Sequence, residues 1–230
     1  MMTHRHVREV SLTVLLALQI YFLFFLQPAA SIGFDFGLPL TESVVVVVVA
    51  VVMAASPSRG AAITIALALV SASVAIVMRR RLASATTDCL TAFAALGALL
   101  AISWVVARSV YAPGLITRHR LRGAMVLYFN IALAFGVIFR LIEALAPGSF
   151  KGIEPGETRD QLAADILYFS VITLSTTGFG DIVPLHRFAR SMASLEAIVG
   201  QLYIATVLAR LITLPRDQEP PDDARPNDHV

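Results

Sequence analysis

The chain has 230 residues, 57% of them hydrophobic and 15% charged, with a formal net charge of +2. A soluble domain carries about a quarter charged residues, so this composition excludes an ordinary soluble protein and points to one that lies mostly in a bilayer. The arginines fall in loops, as topology signals do and a nucleic-acid surface does not, and the single cysteine, Cys89, excludes an intrachain disulfide or a cysteine-based metal site.

A helix needs about 20 apolar residues to span a bilayer. Val7 to Leu26 meets that length behind a basic lead, His4-Arg5-His6-Arg8, and reads as a retained first helix ended by Gln27-Pro28. Leu40 to Ala55, with its valine run Val44 to Val49, is a second span, because an unpaired strand is not viable in lipid. Ala61 to Met78 is a third span and Cys89 to Ala107 a fourth, with Arg79, Arg80 and Arg81 in the loop between them. A basic linker, Arg108 to Arg122, carries Pro113-Gly114. Gly123 to Ala146 is a fifth span, and residues 147–164 read as a polar loop. Asp165 to Ser175 is too short to span and reads as a re-entrant helix capped by Asp165. Phe188 to Leu214 is the last span, and the proline-rich, charged residues 215–230 read as a disordered tail. The expectation is an all-α membrane protein of six transmembrane helices plus a re-entrant helix. Its expected regions are a four-helix region at 1–107, the linker at 108–122, a second helical unit at 123–214 and the tail.

Between the short helix and the last span lies Thr173-Leu174-Ser175-Thr176-Thr177-Gly178-Phe179-Gly180-Asp181-Ile182-Val183-Pro184. Polar, glycine-containing backbone survives at membrane depth only where it is buried in protein or lines a water-filled path. Alternating glycines tolerate backbone angles that turn successive carbonyls toward one axis. A column of oxygens can replace the hydration shell of a cation.

Thr176 to Asp181, TTGFGD, resembles the selectivity filter of the potassium channel family, usually TVGYGD, and Tyr168 to Ser175 resembles the family's pore helix. The flanking helices match only in pattern. The resemblance implies K+ as the transported ion, bound by the carbonyls of Thr176, Thr177, Gly178 and Phe179 and by the Thr176 hydroxyl, with Gly180 completing the filter and Asp181 at the outer mouth. It implies no cofactor, and Gly200 as the candidate hinge of an inner gate; close helix packing is the other reading of that glycine. One filter per chain and no internal repeat imply a homotetramer. Both chain ends would be cytoplasmic in a cell (inner) membrane.

Three departures stand out. Thr177 replaces the usual valine, Phe179 replaces the usual tyrosine, and Tyr168 and Phe169 stand where many relatives have two tryptophans. They predict a weaker polar cuff around the filter and leave a weakly selective cation channel open as an alternative. A non-conducting scaffold or accessory subunit is the alternative from another class, though a scaffold has no need of the glycine pair. In the family's orientation the basic linker lies inside, as the positive-inside rule asks, and Arg79 to Arg81 lie outside, against it. Either those arginines snorkel to headgroups or the spans between 30 and 107 are miscounted.

A voltage sensor needs arginines at every third position within the membrane. Cys89 to Ala107 has none, so the first four helices read as a structural skirt rather than a working sensor. Arg140, Glu143 and Glu196 are ionisable residues inside spans and therefore sites by default. Helix rise puts Arg140 and Glu196 at similar depth, roughly 10 Å and roughly 12 Å below the outer ends of their helices. The pairs expected are Arg140 with Glu196, or Glu143 with Arg190; a protonated, hydrogen-bonded Glu196 is the alternative. Ile204 and Leu208 are candidates for a hydrophobic constriction, His186 for a pH-sensitive residue at the outer mouth, and Trp104 for an interfacial anchor. No nucleophile elbow, HExxH or phosphate loop is present, so no enzyme activity is expected.

Overall fold

A computed structural model describes residues 2–31, 85–111, 118–154 and 156–213. The second and third expected spans, Arg79 to Arg81, the centre of the basic linker and the tail lie outside the described residues.

The first helix runs as α1 (Met2–Tyr21), a wide π-helical turn (Phe22–Leu26) and α2 (Gln27–Ser31). Pro28 therefore does not end it. A proline ring in a helix clashes with the carbonyl four residues back. Here the preceding turn is widened, with Gln27 N–H donating to Phe22 O, which gives the ring room. Next come α3 (Ala85–Val110), α4 (Arg118–Leu145), β1 (Phe150–Lys151), α5 (Arg159–Leu174), β2 (Val183–Pro184) and α6 (Arg187–Thr213). Four segments are long and apolar enough to cross a membrane: Leu12–Ala29, Cys89–Arg108, Arg120–Leu145 and Arg187–Arg210. At 16 residues, α5 is too short.

The helix α4 is the axle, packing against α1, α3, α5 and α6. Its N-terminal half joins Leu12 and Leu15 of α1 and Ile102, Val106 and Val110 of α3 through Ala124, Val126 and Leu127. Its C-terminal half places Phe139 against Phe150, Ile166, Phe169, Ile182 and Ala189, so one apolar cluster joins β1, α5, the loop after it and α6. Between the helices a polar chain crosses the apolar layer. Gln19 Nε2 donates to Asn130 Oδ1 at 2.7 Å and Asn130 Nδ2 donates to Ser103 Oγ at 3.0 Å, tying α1, α4 and α3. An unpaired amide in hydrocarbon is expensive, so these bonds lock the three helices in register.

The short helix starts earlier than its composition suggests. Asp165 is not its cap. Thr158 is, with Gln161 N–H donating to Thr158 Oγ1 at 3.3 Å and Thr158 N–H donating to Gln161 Oε1 at 2.8 Å. The T-x-x-Q spacing is a capping box, which satisfies two orphan donors at once. Asp165 lies mid-helix, half-buried, its carboxyl pushed above its ordinary value by burial and by the neighbouring Glu157. Replacing Thr158 with Ala should lower the protein's stability by about 1 kcal/mol, read as an earlier thermal unfolding transition in detergent.

Candidate ion-conduction site

The loop from α5 to α6 is built by alternating backbone handedness. Thr176, Gly178 and Gly180 have φ of 58°, 53° and 82°, while Thr177 and Phe179 stay on the negative side. That alternation turns successive peptide planes the same way, and only glycine adopts the left-handed half of it without strain. The amide hydrogens are drawn off to one side. Thr177 N–H and Gly178 N–H both donate to Ile172 O, at 2.9 and 3.2 Å, and Thr176 N–H donates to Thr173 O at 2.9 Å. The carbonyls of Thr176 to Phe179 stay out of this network. Ser175 Oγ joins the same side, donating to Ile172 O at 3.3 Å and lying 2.8 Å from Thr177 Oγ1.

The outer end of the loop is braced from two directions. Tyr168 OH donates to Asp181 Oδ2 at 2.7 Å, and Ile182 N–H donates to Asp181 Oδ1 at 3.0 Å. β1 pairs antiparallel with β2, Phe150 opposite Pro184 and Lys151 opposite Val183. Leu185 N–H and His186 N–H both donate to Ser149 O, at 2.7 and 3.2 Å. The turn before β1 is held by Glu143, whose carboxylate accepts from Gly148 N–H at 2.7 Å and Ser149 N–H at 2.9 Å. Behind the loop, Phe139, Phe150 and Phe169 meet edge-to-face at centroid distances of 5.1 to 5.7 Å, a favourable geometry for aromatic rings.

The inner end rests on α6. Gly200 sits so close that a Cβ there would collide with Leu174 O, and Tyr128 OH donates to the same carbonyl at 3.3 Å. Gln201 Nε2 donates to Thr176 Oγ1 at 2.9 Å.

Residues 125–217 match the family model described as "Ion channel". The chain is 36% identical over 81 residues to the inward rectifier potassium channel Kirbac3.1 of Paramagnetospirillum magnetotacticum, covering 35% of this chain and 23% of that one. It is 29% identical over 87 residues to Protein LctB of Bacillus caldotenax, covering 37% and 64%. It is 38% identical over 53 residues to two pore potassium channel b of Oryza sativa subsp. japonica, covering 23% and 15%. The matched segment is similar to the ion-channel family model and to potassium channels. The chain spans less than two thirds of the length of each of these relatives, and no solved structure matches it.

In this channel segment the expected filter residues, Thr176 to Asp181, form one exposed stretch on the protomer surface, with Phe179 70% exposed. The cuff departs from what the sequence suggests. Tyr168 keeps a polar bond to Asp181, and Phe169 turns inward as an apolar wedge. That hydroxyl is the first cause holding the Asp181 carboxyl below its ordinary value, and the Ile182 amide adds to it.

Glu196 is fully buried, and the group that meets its Oε1 is Ser170 Oγ of α5. Ser170 Oγ also lies 2.7 Å from Ala132 O of α4. The Ser170 hydroxyl thus lies within reach of a carbonyl on α4 and a carboxyl on α6 at once. This knot joins α4, α5 and α6. Arg140 is half-buried on α4 and engaged in its own interactions, and Glu143 serves the turn before β1. His186 is exposed, stacked on Phe188 at 6.4 Å, and Trp104 carries Arg108 over its ring at 5.0 Å. Ile204 and Leu208 are exposed on α6. Sequence reasoning missed Ser170 and Gln201. For Gln201 the available signal was its polar side chain within an apolar span.

Two outcomes follow from this geometry. A lowered carboxylate pKa means the ionised, braced Asp181 persists above its ordinary titration range and is lost as pH falls through the lowered value. Tyr168→Phe removes the main lowering cause, so acid loss of ion flux should begin at a higher external pH than in the wild type, measured by liposome flux against pH. Glu196→Gln keeps a donor to Ser170 and should leave thermal stability near wild type. Glu196→Leu removes Ser170's partner on α6 while its bond to Ala132 O remains, and should cost about 1 kcal/mol in the same unfolding measurement.

Proposed function

We propose that this protein is a passive potassium-selective channel that works as a homotetramer around the Thr176–Gly180 loop. The observation that carries the reading is the alternation of positive φ at Thr176, Gly178 and Gly180 together with the diversion of the Thr177 and Gly178 amides to Ile172 O. Such a backbone offers a file of carbonyl oxygens with the Thr176, Thr177 and Gly178 amides turned away, which suits a dehydrating cation. Potassium moves down its electrochemical gradient, bound in turn by the carbonyls of Thr176, Thr177, Gly178 and Phe179 and by the Thr176 hydroxyl. Asp181 faces the outer mouth, where its ionised carboxylate favours cations.

One protomer supplies one wall. The filter loop is exposed along its length, and α6 exposes Phe188, Leu195, Ile198, Leu202, Ile204 and Leu208. Four copies about one axis close the pore and cover that helix, and they aim four α5 C-terminal ends at a central cavity, where the helix dipoles favour a cation. Gly200 takes the close-packing role at α5, and any gate hinge there works against that contact. Gating by voltage is weak, because Cys89 to Ala107 carries no arginine for the membrane field to move. The protein lies in a cell (inner) membrane with both ends cytoplasmic, which puts the basic linker on the positive side.

The test is ion flux in liposomes under potassium and sodium gradients, with Gly178→Ala as control. Potassium flux well above sodium flux, lost in Gly178→Ala while the tetramer persists, is the expected result. Equal fluxes make this a nonselective cation channel, in line with Thr177 and Phe179. Absence of both flux and tetramer makes the protein an accessory subunit.

A further inference from the structure

Thr176 is the sole non-glycine residue with positive φ among the described residues. A β-branched side chain resists that region, so neighbouring contacts have to hold it there. The hydroxyl is held from two sides. Thr176 Oγ1 donates to Ser175 O at 2.7 Å and accepts from Gln201 Nε2 at 2.9 Å. The amide reaches it because Gly200, the residue before, lets α6 press against the Leu174 carbonyl.

The direction of these bonds matters to a cation. A free hydroxyl rotates and can present its hydrogen to an approaching positive charge. With its proton fixed on Ser175 O and one lone pair fixed on Gln201, Thr176 Oγ1 offers its remaining lone pair and no hydrogen. Gln201 and Thr176 both lie on the exposed face that carries the filter loop.

We infer that Gln201 is a positioning and specificity-determining residue for conduction. Its side-chain amide holds the Thr176 hydroxyl as an oriented acceptor at the inner end of the filter. In the tetramer four such amides fix four hydroxyls at one spacing, which sets the size of alkali cation that exchanges water for oxygen there. This inference rests on the channel reading above. It adds a residue that the filter motif does not contain, contributed by the helix behind the filter.

The experiment compares potassium and sodium flux in liposomes for wild type, Gln201→Met and Gln201→Glu, with tetramer content measured by cross-linking. Methionine keeps the length of the side chain without a donor. Glutamate keeps its shape but, when ionised, only accepts, and pulls the Thr176 proton off Ser175 O. The expected result is an intact tetramer in Gln201→Met whose potassium-to-sodium flux ratio falls about fivefold, the factor one hydrogen bond is worth. If Gln201→Met does not assemble, Gln201→Glu is read for the same fall. A ratio equal to the wild type's in an assembled variant overturns the inference. Loss of the tetramer in both variants also overturns it, by assigning the side chain to assembly. A wild-type protein without selective potassium flux removes the channel reading itself, whatever the variants do.

Discussion

The carbonyl of Ile172 is the point on which the filter loop depends. Backbone donors and acceptors come in equal number, and a path for cations needs the acceptors without the donors. The loop solves this by taking the Thr177 and Gly178 amides to one oxygen near the end of α5. That oxygen is available because the last carbonyls of a helix have no partner within it. The short helix therefore both aims its dipole and holds the loop's donors, and its position decides where the carbonyl file lies.

Everything around the loop serves to hold that short helix. At its start a capping box fixes the first turn. At mid-length Phe169 wedges between Phe139 and Phe150, and Ser170 is knotted to Ala132 and Glu196. At its end Gly200 and Tyr128 close on Leu174 O. Polar contacts of this kind are costly to leave unmade in an apolar surrounding, so each one restricts the helix to a single placement. The outer brace adds Tyr168 to Asp181 and the two-residue pairing of β1 with β2, which ties the end of α4 to the exit of the loop.

The protomer is half of a solved problem. Its inner clusters are closed by α1, α3 and α4, while the exposed apolar side chains of α6 share a surface with the filter loop. Polar backbone at membrane depth has to lie against protein or water. In the proposed tetramer the copies that cover α6 also give the loop its remaining walls, so assembly and the proposed conduction path are one geometric requirement.

The residue types carried a great deal alone. TTGFGD, a helix too short to span and a long apolar segment after it identify the loop, because glycine spacing and span length are local properties of the chain. Hydropathy likewise marked the four described spans within a few residues of their ends. The start of α5 was also local, since the capping box at Thr158 and Gln161 is written in the sequence, but a polar stretch hides it. What the sequence did not contain was side-chain partnership. Equal depth along two helices suggested Arg140 for Glu196, and depth alone could not show that Ser170 of a third helix meets Glu196 Oε1. Tyr168 looked like a loss of polar bracing until the fold put its hydroxyl beside Asp181. Gln201 drew no reading from the sequence, and it is the close approach of α6 at Gly200 that brings its amide to Thr176. Composition and spacing determine which segments enter the membrane, because those depend on one chain direction. Tertiary packing alone decided which polar groups face one another, because that depends on how three helices are turned at once.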